Sequence, residues 1–316
     1  MSAYIVPYIR LLGLTIVPVM VGVILRRRGV SKKTATRIFL AVLFGFQLPI
    51  VFLSIWTARI TAAARYLPLL TLAAWFITMG IARGVSGLLK HEPRQRGSFI
   101  MSMCLSNHGY TLLGLIVFVL FGHEGLSQAS YAQMGIVPFL FLVCFPAARY
   151  YGSGGADIST GRLIKDSLTD PRILPLAAML IGLMLNISGI ARPSPCAKLL
   201  PYLVYVGTIL SGLAVGILFG GFKLGKYARE NVFSFVYRLT IYPAIFAGLA
   251  CICGLGVFDT RILILFGLVP SALFSNMVSD FFDLDTDMTA SIFAVGGLLF
   301  MFLVLPIYAF IVLSLN

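Results

Sequence analysis

Apolar stretches close to twenty residues long recur from one end of this chain to the other, separated by short polar connections. That length matches a bilayer core crossed by an α-helix, about 20 residues rising 1.5 Å each. Inside lipid the backbone must satisfy its own hydrogen bonds, so only helices and closed barrels cross. Barrel strands would alternate in polarity over about ten residues, whereas these runs are near twenty. Charged residues make up only 11% of the 316 positions and hydrophobic ones 59%, too little charge for a soluble domain of this size. The chain reads as an all-α polytopic membrane protein.

Ten transmembrane helices are expected. Five occupy 4–25, 35–56, 66–89, 98–120 and 133–150. Five more occupy 172–190, 199–222, 231–253, 261–282 and 287–314. Met1-Ser2-Ala3-Tyr4 lacks the basic flank of a cleaved signal, so the first stretch counts as a span. Residues 151–171, opening Tyr-Gly-Ser-Gly-Gly, form a linker between a first unit, 1–150, and a second, 172–316. Lys and Arg gather in the odd-numbered connections, including Arg26, Arg27, Arg28, Lys32 and Lys33 after the first span. By the positive-inside rule those connections face the cytoplasm and both termini lie outside, in the cell (inner) membrane. This topology accounts for the net charge of +13, so nucleic acid is not an expected partner; the lipid bilayer is.

With five spans per unit, the second enters the membrane from the opposite side. Two such units are related by an in-plane pseudo-two-fold axis. Val21-Gly22-Val23-Ile24-Leu25 followed by Gly29 resembles Ile181-Gly182-Leu183-Met184-Leu185 followed by Gly189. More telling is a repeated dipeptide. Ser106-Asn107 and Ser275-Asn276 each sit within the fourth span of their unit, and the chain holds only five asparagines. A bare amide in hydrocarbon costs a few kcal/mol unless something pairs with it. Helix-weakening or polar residues stand beside both pairs: His108-Gly109-Tyr110 in the first, Pro270-Ser271 and Ser279-Asp280 in the second. Interrupted helices at corresponding places in two halves mark a transporter's binding site. Half-helix N-termini there favour an anion, and a carboxamide offers both donor and acceptor. The alternative role for Asn107 and Asn276 is interhelical glue.

Other positions carry weaker signals. Gln47 precedes Leu48-Pro49, and a mid-span proline opens the helix ladder toward a cavity. His108 could titrate or tie a neighbouring helix, and Tyr110 could wall the site or pack. Asp280 is a candidate for carrying a coupling ion. Arg238, about seven residues into its span, is expected to snorkel to the surface. No metal site is expected, since Cys251-x-Cys253 lacks companion ligands. Nor is an enzyme: His91, His108 and His123 are scattered, and only Asp280 approaches membrane depth.

These motifs, in order, resemble the auxin efflux carrier family, which includes bacterial permeases for malate and malonate. The resemblance rests on Gly22 with Arg26-Arg27-Arg28-Gly29, then Leu48-Pro49, then Ser106-Asn107-His108-Gly109-Tyr110. It continues through Asp170-Pro171-Arg172, Gly182, Arg238 to Pro243, Pro270 and Asp287. It implies an inverted repeat of two five-helix units whose fourth and ninth helices break and cross, a fold related to bile acid/sodium symporters. Small carboxylate anions would bind at the crossover and move by an elevator mechanism. Asn107 and Asn276 would flank the site, with Ser106 and Ser275 beside them, and Pro270 would mark the second break. One departure concerns the first break. Where the family commonly carries a proline, this chain has Leu112-Leu113-Gly114-Leu115, leaving Gly114 to permit the break. No cofactor is implied. Na⁺ or H⁺ as coupling ion, a homodimer, a bile-acid-like symporter and a ligand sensor that does not transport all remain open.

Overall fold

The computed structural model describes residues 2–58, 60–62, 64–109, 112–154, 174–218 and 224–314. Among them every regular element is helical. The first half runs α1 (Ser2–Arg27), α2 (Lys32–Val42), α3 (Leu48–Ile55), α4 (Leu67–Leu88), α5 (Pro93–Cys104), α6 (Leu113–Ala132), α7 (Ile136–Phe139) and α8 (Phe145–Gly152). The second runs α9 (Leu174–Ile187), α10 (Ser194–Leu218), α11 (Ala228–Leu239), α12 (Ile241–Ile252), α13 (Val257–Leu268), α14 (Leu273–Phe281), α15 (Thr286–Leu299) and α16 (Leu305–Ser314). Among the described residues, seven helical stretches are long and apolar enough to cross a membrane.

The difference from ten has physical causes. The stretches at 98–120 and 261–282 are not single helices. Each is two half-helices around an irregular segment, α5 with α6 and α13 with α14. Only Leu174–Ile187 of the 172–190 span lies in a described helix, and the linker at 151–171 falls mostly outside the described residues, as does Asp170-Pro171-Arg172. Residues 121–132, expected as a connection, are helical. The chain turns there at Gly122, whose φ of 66° and ψ of −155° fit no helix. The 231–253 span bends at Thr240 (φ −122°), because Pro243 offers no N–H and its ring clashes one turn back.

The same backbone devices recur in both halves at offsets of about 160 residues. Left-handed Gly29 and Gly189 end α1 and α9 with the same pair of bonds. Val30 N–H donates to Leu25 O and Gly29 N–H to Arg26 O; Ile190 donates to Leu185 O and Gly189 to Asn186 O. Lys90 and Gly254, both at positive φ, end α4 and α12 in the same way, with His91 donating to Ser86 O and Leu255 to Ala250 O. Gly122 (φ 66°) and Asp283 (φ 51°) are also both at positive φ.

A π-helical turn precedes a Leu-Pro or Phe-Pro step at Leu43–Gln47, Leu140–Cys144 and Phe300–Val304. In each, the residue before the proline donates to a carbonyl five residues back: Leu48 to Leu43, Phe145 to Leu140, Leu305 to Phe300. The wider turn accommodates Pro49, Pro146 and Pro306, so Pro49 bends its helix without opening it.

Helix packing follows small residues. At the crossing of α1 and α10, a Cβ on Gly22 would strike the Leu213 carbonyl, and one on Gly216 the Val19 carbonyl. Gly182 of α9 meets Phe52 O of α3 at 2.7 Å from its would-be Cβ. Small residues let backbones approach where lipid supplies no hydrophobic drive. Gly216→Val is expected to lower the detergent melting temperature by several degrees, since overpacking costs about 1–3 kcal/mol. Gly13→Val, with open space around it, should leave melting unchanged.

Candidate functional site

The two irregular segments meet. Ser106 and Ser271 form an antiparallel bridge. Asn107 N–H donates to Pro270 O at 2.8 Å and Ala272 N–H to Leu105 O at 2.7 Å. Groups freed by breaking two helices in an apolar interior are thus satisfied by each other, as a membrane interior demands. Pro270 fixes the second segment as extended: Val269 before it (ψ 144°) and Ala272 after it (ψ 149°) lie in the β region.

Arg238 completes the arrangement, and it does not snorkel. Its side chain is 3% exposed and points into the crossover. Nη1 donates to Ser106 Oγ (2.6 Å) and Val269 O (2.8 Å); Nη2 donates to Ser102 O (2.8 Å) and Met103 O (3.1 Å). One guanidinium therefore takes orphan carbonyls at the C-terminal ends of both α5 and α13. A positive charge suits the negative end of a helix dipole, and here it serves two. Among the described residues no carboxylate pairs with it.

A cavity of about 240 Å³ adjoins the crossover. Its walls are Thr15, Val19 and Met20 of α1, Thr208, Ser211 and Val215 of α10, Phe293, Gly297 and Met301 from α15 onward, and Asn107 with Pro270. The lining is overwhelmingly apolar. Thr15 and Thr208 donate their hydroxyls to their own helices, at Leu11 O and Val204 O. Two polar groups remain. The Asn107 carboxamide has no hydrogen-bond partner among the described residues, and Ser211 Oγ is buried without one.

The other candidate residues fall in different places. Ser106 is spent on Arg238. Ser275 turns back on its own helix start, donating to Ala272 O at 2.7 Å and meeting Ser271 Oγ at 3.2 Å. Asn276 is half-buried in α14, its Oδ1 unpartnered, and does not line the cavity. His108 is buried. Its Nε2 reaches Phe266 O at 2.9 Å, and its ring lies tilted against those of Phe266 and Trp75, with centroids 4.7 and 5.9 Å away. A carbonyl only accepts, so Nε2 carries the proton and His108 braces α13 against α4. Gly109 lies within the break, its carbonyl taken by Leu112 and Gly114. Gly114 sits inside α6 and does not form the break. Gln47 lies in a π-helical turn away from the cavity, and Asp280 is exposed near the end of α14. Tyr110 lies outside the described residues.

Sequence reasoning missed Arg238 as a crossover residue and missed the far wall on α1 and α10. The signal for Arg238 was its depth with no acid nearby; for the far wall, Thr15 facing a glycine-bearing helix. Searches of protein-family models and of curated proteins returned no match to this chain.

Proposed function

We propose that this protein is a secondary transporter of small organic carboxylate anions, its site at the crossover of the two broken helices. One observation carries the reading. Two interrupted helices pair through their breaks beside a cavity that presents a free carboxamide, and Arg238, buried at the crossover itself, has no carboxylate partner among the described residues. A fixed positive charge in low dielectric favours an anion over a neutral or cationic guest. The cavity volume lies below the range of about 300–1,000 Å³ usual for drug-sized ligands. That supports a small acid with an apolar body over a bile acid.

The recurring devices support ten spans arranged as inverted units over 1–150 and 172–316, with Gly29/Gly189 and Lys90/Gly254 as equivalent helix ends. Helix contacts fit the same symmetry: α1 packs on α10 while α9 packs on α3. In this reading the protein resembles the auxin efflux carriers, lies in the cell membrane with both termini outside, and moves its broken helices as an elevator against α1, α10 and their neighbours.

The crossover also bears on coupling. A Na⁺ site would need freed carbonyls, and those of Ser102, Met103 and Val269 are held by Arg238. The guanidinium stands where such an ion would, so flux is expected not to depend on Na⁺ and to follow proton gradient or membrane potential. The test is uptake of labelled malate, malonate and aryl acetates into proteoliposomes, in sodium or choline buffer. Saturable, sodium-independent uptake is expected. Binding without flux would instead make the protein a sensor.

A further inference from the structure

A second basic site lies away from the crossover, where α4 ends, α5 begins and α8 ends. We infer that it binds a phosphate group carried on an anionic lipid or a small phosphate ester. A cavity of about 220 Å³ is lined there by Arg83, Arg96, His91, Tyr150 and Tyr151. Neither guanidinium donates a hydrogen bond to any described residue, and Arg96 Nε is shut off from solvent without a partner. Two like charges converging on one concavity repel, and each keeps unused donors in a planar fork. That geometry suits a tetrahedral oxyanion, which accepts paired N–H bonds from each fork.

Among the described residues no carboxylate is hydrogen-bonded to either guanidinium. Glu230 of α11 is bonded to His91 Nε2 at 3.1 Å, while His91 Nδ1 meets Ser86 Oγ at 3.0 Å. Glu92 is turned to its own helix start, forming a capping box with Gln95. Around the site, Leu88 is 83% exposed and Tyr150 54% exposed, as expected where side chains face acyl chains. Arg94 and Lys90 add charge on the same connection. Basic pockets between membrane helices on the Lys/Arg-rich side take anionic headgroups. This site is independent of the transport reading. It does touch it mechanically: α5 runs from Arg96 to the Ser102 and Met103 carbonyls that Arg238 holds, so a bound phosphate would brace the outer end of the first broken helix.

The experiment is thermal melting of the purified full chain in mixed micelles containing phosphatidylglycerol or phosphatidylcholine, and separately with inorganic phosphate or glycerol 3-phosphate. Phosphatidylglycerol is expected to raise the melting temperature by at least about 3 °C over phosphatidylcholine. The Arg83→Gln/Arg96→Gln double variant should lose most of that rise. Lys33→Gln/Arg37→Gln, which removes the same charge from exposed positions, should keep it. Arg96→Lys retains charge and guards against a folding defect; it should keep part of the rise. An Arg-dependent shift with glycerol 3-phosphate alone would assign the site to soluble esters. An equal rise in wild type and double variant, or none with any probe, would overturn the site.

Discussion

Arg238→Gln is expected to destabilise the protein by about 3–5 kcal/mol and to broaden or abolish its melting transition in detergent. Four acceptors depend on this guanidinium: Ser106 Oγ and the carbonyls of Ser102, Met103 and Val269. A buried polar group left without a partner costs about 1–3 kcal/mol. Gln cannot bridge two helix ends from one short side chain. Part of the loss is offset because the desolvated charge disappears as well, so the sum of four acceptors is an upper bound. Arg238→Lys separates charge from geometry. Its ammonium keeps the favourable dipole interaction but is a single point with three donors, unable to span α5 and α13 together. Melting should fall between wild type and Arg238→Gln. If Arg238→Gln melts within a degree or two of wild type, the Asn107–Pro270 and Ala272–Leu105 bonds hold the crossover unaided.

The breaks were legible because they break chemical rules visible in one dimension. A Ser-Asn pair deep in an apolar run must be satisfied, and Pro270 cannot continue a helix. The structure places both irregular segments beside those residues. Arg238 was not legible as a crossover residue, since hydropathy and depth are alike for an arginine that snorkels and one turned inward. What separates them is the pair of helix ends it meets, from segments more than a hundred residues before it and thirty after. Gly114 was misplaced for a simpler reason: glycine weakens a helix by only about 1 kcal/mol, and the break was already set by the residues ahead of it. Residues 121–132 were expected as a connection between two spans, yet one φ at Gly122 turns the chain and leaves the rest helical. Gln47 was expected near a cavity on the strength of Pro49. The π-helical turn accommodates that proline, so no opening follows. The π turns at Leu140–Cys144 and Phe300–Val304 begin 160 residues apart, a likeness in backbone devices that the side chains do not display.

Asn107→Ala should reduce anion uptake about 10- to 100-fold while leaving the protein folded. Its backbone bond to Pro270 O does not involve the side chain, so the crossover survives truncation. What is lost is the one free carboxamide in the cavity, and a hydrogen bond to a charged group contributes about 1.5–3 kcal/mol. The loss should fall on KM or Kd when the carboxamide holds substrate equally throughout, and on kcat when it engages only during the transition between states. Asn107→Asp gives the sharper test. It is nearly the same size, but a carboxylate facing the cavity would repel an anion and draw Arg238's field to itself, so uptake should vanish above the aspartate pKa with melting retained. Asn276→Ala distinguishes site from glue, because Asn276 does not line the cavity in this state. A loss as large as that of Asn107→Ala would mean that α14 turns its carboxamide to the substrate in another state of the proposed transport cycle. Unchanged uptake in both Asn107 variants would remove Asn107 from the site and leave the cavity without a polar anchor other than Ser211.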